Sequence, residues 1–271
     1  MKKIAIHSAC RSGSTWLANI LNSAEPVAYR CQPLFSYEFK GVLSENSDRC
    51  TIEKFFNDIY HSKNRYLNQL DEVDRGNIPV FKKIEKTTHI VYKETRYHYI
   101  LDNLLQNSDA HLIGLIRNPL TQLASFIKAP SEFKKEWEIS EEWKHAPKKN
   151  EGKPENYFGY IKWREVAEIF CMLHKKYTDK RVTLISYNEL LNDPLSLTRT
   201  LFSKLDIPLG DQTKLFIKKS TSTNHHEPYS VFRNKKQDTV SSNIPDDYIQ
   251  YIKDDLKDTP LYKYCLDKQQ L

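Results

Sequence analysis

Residues 2–22 read KKIAIHSACRSGSTWLANILN. Lys3–Ser8 (KIAIHS) is a short apolar run that predicts a buried strand. In Ser14–Asn22 (STWLANILN) the apolar residues Trp16, Leu17, Ile20 and Leu21 recur at helical spacing. The loop between them, in the stretch SACRSGSTWL (8–17), therefore joins a strand to a helix N-terminus. Such a turn aims free backbone N–H groups and the positive end of the helix dipole at one point, which makes an anion site. Gly13 permits close backbone approach. Ser12, Ser14 and Thr15 add hydroxyl donors, and Arg11 adds a permanent charge with a planar fork. The nucleotide-triphosphate loop GxxxxGK[ST], aligned at Gly13 and Thr15, puts Ser8 at its first glycine and Ser14 at its lysine. The group that reaches the β- and γ-phosphates is missing, which disfavours magnesium-dependent hydrolysis of ATP or GTP but not a phosphorylated ligand.

Outward from this turn, strand and helix patterns alternate. His89–Tyr92, His111–Ile116 and Val182–Ser186 read as strands. Thr51–Tyr60, Tyr97–Gln106, Leu120–Ile127, Ile161–Tyr177, Leu195–Leu205 and Asp246–Leu256 read as helices. This predicts a single α/β domain over residues 1–271, with a central, mainly parallel sheet of about five strands flanked by helices. Ligands of such sheets bind beyond the carboxyl ends of the strands. Between residues 128 and 160 the pattern is lost, and that irregular insertion is a candidate lid over the acceptor site.

Composition excludes several classes. The chain has 271 residues, a net charge of +6 and no apolar run near the roughly 20 residues of a membrane span. His7 and Arg11 interrupt the opening apolar stretch, so it is not read as a secretion signal. Five scattered cysteines without CxxC spacing fit neither a zinc site nor a disulfide framework, and point to a reducing, cytoplasmic setting. The mild positive charge favours anionic ligands, but no basic tract or reading motif accompanies it, so nucleic acid is not expected as a partner. Oligomeric state is not legible.

A second strand-ending loop lies in LIGLIRNPLTQLASF (112–126). Arg117 ends an apolar strand, Pro119 suits the first helical turn, and Ser125 falls eight residues after Arg117, on an arc that allows both to share a small anion. Together, CRSGSTW and the strand-end RNPxxxxxxS resemble the two signatures of PAPS-dependent sulfotransferases of the bacterial or carbohydrate type, a P-loop-like nucleotide-binding fold. LISYNELLNDPLSLTRTLFSKLDIPL (184–209) and FRNKK (232–236) are similar to two later segments of that family. The resemblance implies a 5′-phosphosulfate cradle at Arg11–Thr15, a 3′-phosphate site at Arg117 and Ser125, and adenine packing by Trp16 and Tyr187. It implies a closing basic loop at Arg233, Asn234 and Lys235, although the family's glycine-rich form of that loop is reduced here. Lys93 stands where the family places a strand-end lysine that reaches the transferred group. No metal is required by these motifs.

Sulfuryl transfer also needs a base for the acceptor hydroxyl. Thr95 stands where one branch has its histidine, and Gln32, in YRCQPLFSYEF (29–39), stands where glycan-type members often have an acid. Neither abstracts a proton. Glu38 and Glu94 are the remaining candidates, with His98 and the His225–His226 pair as alternatives. Trp137, Trp143, Tyr157, Phe158 and Tyr160, with interleaved lysines, suit sugar rings. The expected activity is sulfuryl transfer from PAPS to a hydroxyl of a carbohydrate or small molecule. The rivals are a magnesium-ATP-dependent small-molecule kinase and a non-catalytic nucleotide-binding protein.

Overall fold

A computed structural model describes residues 1–223, 230–232 and 244–265. Strands β1 (Lys2–Ser8), β2 (Val27–Cys31), β3 (His89–Glu94), β4 (His111–Ile116) and β5 (Val182–Ser186) form one sheet in the order β2-β3-β1-β4-β5, and all four pairings are parallel. The helices are α1 (Ser14–Asn22), α2 (Arg49–His61), α3 (Leu70–Asp74), α4 (Leu101–Gln106), α5 (Pro119–Ile127) and α6 (Ile139–His145). They continue with α7 (Pro147–Asn150), α8 (Tyr160–Arg181), α9 (Tyr187–Asn192), α10 (Pro194–Leu205), α11 (Asp211–Ser222) and α12 (Asp246–Leu256). The chain is thus a single α/β domain with a five-strand parallel sheet flanked by helices.

Parallel strands joined by helical crossovers are covered on both faces, which is why their sequences run apolar without clean alternation. Side chains still alternate between two cores. On β1, Ile4 and Ile6 join the core under α1, α9, α10 and α11, whereas Ala5 joins the core under α2, α4, α5 and α8. On β3, Val91 joins the first core, and Ile90 and Tyr92 join the second. Helix α1 seals the first core with Leu17, Ile20 and Leu21, each fully buried and each contributing roughly 1.5–3 kcal/mol by burial.

Helices α3 and α11 were not read from the sequence, and two further segments depart from that reading. VAYRC (27–31) is β2, an edge strand whose alternating burial buries three of its five side chains. The segment 128–160 is not irregular throughout, because it contains α6 and α7. Its aromatics are core residues: Trp143 stacks on Tyr248 with centroids 4.3 Å apart, Tyr160 stacks on Trp163 at 6.2 Å, and Tyr157 and Phe158 are buried.

Gly114 in β4 lets α8 lie close to the sheet, since a Cβ there would sit 2.9 Å from Phe170 and 3.0 Å from Leu184. Gly114→Ala should therefore destabilise the fold by about 1–3 kcal/mol, read as a lowered denaturation midpoint with an unchanged slope; an unaltered midpoint would show that Phe170 yields freely.

Candidate active site

All five strands point their carboxyl ends at one cavity of about 700 Å³. Cys31 and Gln32 come from β2, and Lys93, Thr95 and Arg96 from β3. Cys10, Arg11 and Gly13–Trp16 follow β1, Arg117 follows β4, and Tyr187 follows β5. Since β2 and β5 are the sheet's opposite edges, the cavity runs across four inter-strand spacings, about 19 Å.

The first loop is built by backbone conformation. Arg11 and Gly13 adopt left-handed φ values of 60° and 87°. Gly13 caps α1 without any side-chain cap bond, so the first-turn N–H groups keep no side-chain acceptor. A Cβ on Gly13 would lie 2.4 Å from the Tyr187 ring, so glycine is required by contact as well as by φ. The hydroxyl oxygens of Ser8 and Ser12 are buried beneath this loop without a hydrogen-bond partner.

The second loop closes onto the first. Asn118 caps α5 by accepting from the Leu120 N–H at 2.9 Å, and Pro119 opens the helix. Arg117 donates from Nη1 to the Arg11 carbonyl at 2.6 Å and from Nε to the Thr121 hydroxyl at 3.2 Å. Its guanidinium lies 4.9 Å from the Tyr187 ring centre. Arg11 Nε in turn donates to the Ser125 hydroxyl at 3.3 Å. Arg11, Arg117, Ser125 and Tyr187 are therefore one contiguous group. Trp16 extends it, donating from its indole to the Ser220 hydroxyl at 3.0 Å beside Leu191 and Val231 on the cavity wall.

Lys93 is only 3% exposed, lies on the cavity wall, and makes no ion pair with any described residue. A buried ammonium without a partner is costly, so the site is built for an anion. The cavity wall carries the cations Arg11, Lys93, Arg96, Arg117 and Lys128 against the acids Glu72 and Glu132.

The sulfotransferase domain family matches residues 1–259. The chain belongs to this family. Similar solved structures include a sulfotransferase from Alicyclobacillus acidocaldarius (10% identity, 99% of this chain and 98% of that one, TM-score 0.55). The sulfotransferase domain of the Synechococcus olefin synthase is similar over 96% of both chains (15% identity, TM-score 0.51). Retinol dehydratase in a complex with retinol and PAP is similar over 96% of this chain and 83% of that one (14% identity, TM-score 0.56). At such identities the likeness shows the fold. Among curated proteins none matches.

The family's chemistry is sulfuryl transfer, and this chain is a sulfotransferase enzyme. The two nominated carboxyl groups lie away from the cavity wall. Glu38 is exposed and accepts from the Ser62 hydroxyl at 3.1 Å. Glu94 is fully buried on the other face of β3 from Lys93, and its Oε1 accepts from the Leu34 N–H at 2.7 Å. His98 is also buried off the wall, 3.1 Å from His7, and burial lowers its pKa to about 3. The nominated Arg233, Asn234 and Lys235, and the His225–His226 pair, lie outside the described residues.

Sequence reasoning did not nominate Arg96, Lys128, Glu132 or Tyr66, all on the wall. For Arg96 a signal was present, since it sits two residues beyond the end of β3. Glu132 and Lys128 follow α5 in a stretch of ordinary charged composition that carries no such signal.

Burial raises the Glu94 pKa to about 8 from the ordinary 4.5, although nearby Lys93 and the Leu34 N–H pull the other way. The folded protein keeps a proton that the unfolded chain releases between pH 4.5 and 8, so this group's contribution to stability falls as pH rises through that window. His7 and His98, both lowered by burial, act oppositely and weaken the fold as pH drops below 6.5. Against Glu94→Gln, wild type should lose stability on going from pH 5 to pH 8 by an order of a few kcal/mol. Parallel denaturation curves for the two proteins across that range would contradict the buried carboxyl.

Proposed function

We propose that this enzyme transfers a sulfuryl group from PAPS (3′-phosphoadenylyl sulfate) to a hydroxyl of a carbohydrate or glycoconjugate, releasing adenosine 3′,5′-bisphosphate (PAP). The observation that carries the donor is the 2.6 Å bond from Arg117 to the Arg11 carbonyl. It brings both strand-end loops to one cavity with space for a nucleotide. The cradle of Arg11, Ser12, Gly13, Ser14 and Thr15 receives the phosphosulfate. Arg117 and Ser125, with Arg233, Asn234 and Lys235 assigned by the family resemblance, receive the 3′-phosphate. Trp16 and Tyr187 flank the base. The kinase reading is weaker because Ser14 stands where a triphosphate loop needs lysine.

Reaction breaks the S–O bond to the leaving phosphate, forms a new S–O bond to the acceptor oxygen, and moves the hydroxyl proton to a base. Positioning and electrostatic stabilisation supply most of the catalysis, as in phosphoryl transfer. Lys93 and Arg11 offset charge growing on the leaving phosphate. In this reading the base is Glu132. It is the wall carboxylate in the turn that follows α5, the helix that carries Ser125, and it pairs with Lys149 Nζ at 2.8 Å.

The acceptor reading rests on polarity. At the β2–β3 side the wall carries Gln32, Tyr66, Thr95 and Arg96, and Gln32 bonds both the Thr95 hydroxyl at 2.9 Å and the Tyr66 hydroxyl at 3.3 Å. Retinol dehydratase binds retinol and androsterone. This lining suits a hydroxyl-rich molecule better. The first turn of the segment 128–160, Lys128–Glu132, faces that acceptor.

Arg117→Ala should weaken PAP binding about a hundredfold and adenosine 5′-phosphate binding far less; calorimetric titrations showing equal loss would remove the 3′-phosphate role. Glu132→Gln should lower the transfer rate by about 10²-fold or more with PAP affinity intact. Glu38→Gln and Glu94→Gln are assayed beside it, and a loss confined to Glu94→Gln would move the role to the buried carboxyl.

A further inference from the structure

Arg96 leaves the end of β3 and lines the cavity beside Thr95, Gln32 and Tyr66. Its guanidinium carbon lies against two rings, 4.0 Å from the centre of Phe35 and 5.0 Å from that of Phe158. Its Nε donates to Asn156 Oδ1 at 3.0 Å. Asn156 is itself anchored, since its Nδ2 donates to the Asn150 carbonyl at 3.1 Å. The side chain has thus already lost most of its rotamer freedom. Yet neither Nη group makes a hydrogen bond or ion pair with any described residue, and four N–H donors remain for a ligand.

The surrounding acids do not balance this charge. Glu132 is committed to Lys149 at 2.8 Å, and Glu72 to Arg75 at 2.9 Å. Glu94 sits behind the wall, its Oε1 accepting from the Leu34 N–H and its carboxyl pushed toward the protonated form by burial. The donor's anionic groups have their own cations: Arg11 after β1, Lys93 on β3 and Arg117 after β4. Arg96 lies on the β2 side of these. It is a fixed, uncompensated fork in the half of the cavity left for the acceptor.

We infer that Arg96 binds an oxyanion carried by the acceptor itself, so that the preferred substrate is an acidic sugar bearing a carboxylate or a phosphate monoester. This rests on the sulfuryl-transfer reading of the cavity. A planar fork matches either oxyanion through two parallel N–H···O bonds. Preorganisation between Phe35 and Phe158 lowers the entropy lost on binding. A solely structural arginine, stitching those rings together, would have no preference among acceptors.

The test uses the full chain and three oligosaccharides of equal length: one with glucuronic acid, the same molecule with its carboxyl groups reduced to alcohols, and one carrying a phosphate monoester. PAP binding is measured first and reads the donor assignment alone. Calorimetric titrations with the three probes, run with and without PAP, then read Arg96. Wild type should bind at least one charged probe about ten- to a hundredfold more tightly than the neutral one, and which charged probe wins separates carboxylate from phosphate. Arg96→Gln should abolish the preference and Arg96→Lys should keep part of it, with PAP affinity unchanged in both. Equal binding of charged and neutral probes, no binding of either charged probe, or a preference that survives in Arg96→Gln would overturn the inference.

Discussion

The contact on which the site depends is the one between the Arg117 guanidinium and the Arg11 carbonyl. It requires the Arg11 backbone to turn into the left-handed region, which points its carbonyl at β4's end. Gly13, also left-handed, then brings the chain into α1 with its N-terminal amides facing the cavity. A carbonyl accepting from an arginine fork is a strong, charge-assisted contact, and here it fixes the spacing of two loops more than a hundred residues apart. Tyr187 locks the arrangement from β5, touching both the space a Gly13 side chain would fill and the Arg117 guanidinium. Three strand ends thus constrain one another before any ligand arrives.

That rigidity is bought with charge. The wall gathers four other cations around Lys93, which is nearly buried and without an ion pair among described residues. Such a set raises the energy of the empty protein, and anionic ligands that supply the counter-charges lower that of the complex. The sheet provides the opposing stabilisation. Its strands are covered on both faces by two apolar cores.

Much of this was legible in the chain because parallel strands and amphipathic helices leave continuous apolar signals. Ser14–Asn22, His111–Ile116, Val182–Ser186 and Asp246–Leu256 have the boundaries that their periodicity implies. The strand β2 was not legible, since VAYRC is short, carries an arginine and lies at the sheet edge where only one side is paired. Helix α11 was missed for a related reason: its contiguous Leu215, Phe216 and Ile217 sit among lysines and give little periodic contrast. The strand–loop–helix turn at Arg11–Thr15 and its place at the cavity could be read because glycine and strand-end arginine have few other uses in such turns. The position of Glu132 on the cavity wall could not, because only folding brings the turn after α5 there. The aromatics of residues 137–160 show the converse: sugar-binding composition, yet Trp143 and Tyr160 pack in the core.

Strand order divides the labour of the cavity. β1, β4 and β5 carry the groups assigned to the nucleotide, and they occupy the centre and one edge of the sheet. β2 and the tail of β3 carry Gln32, Thr95 and Arg96 at the other edge. Lys93 lies where the two territories meet, paired through its backbone with Ile6 of β1 on one side and Cys31 of β2 on the other. In the proposed reaction a lysine at that junction is placed to address the atom being transferred, with donor to one side and acceptor to the other. On that proposal, changes at Gln32, Thr95 or Tyr66 act on which hydroxyl is presented, while changes at Gly13 or Tyr187 act on whether a donor is held at all. Lys93, belonging to both, is the position where binding and chemistry are hardest to separate by mutation.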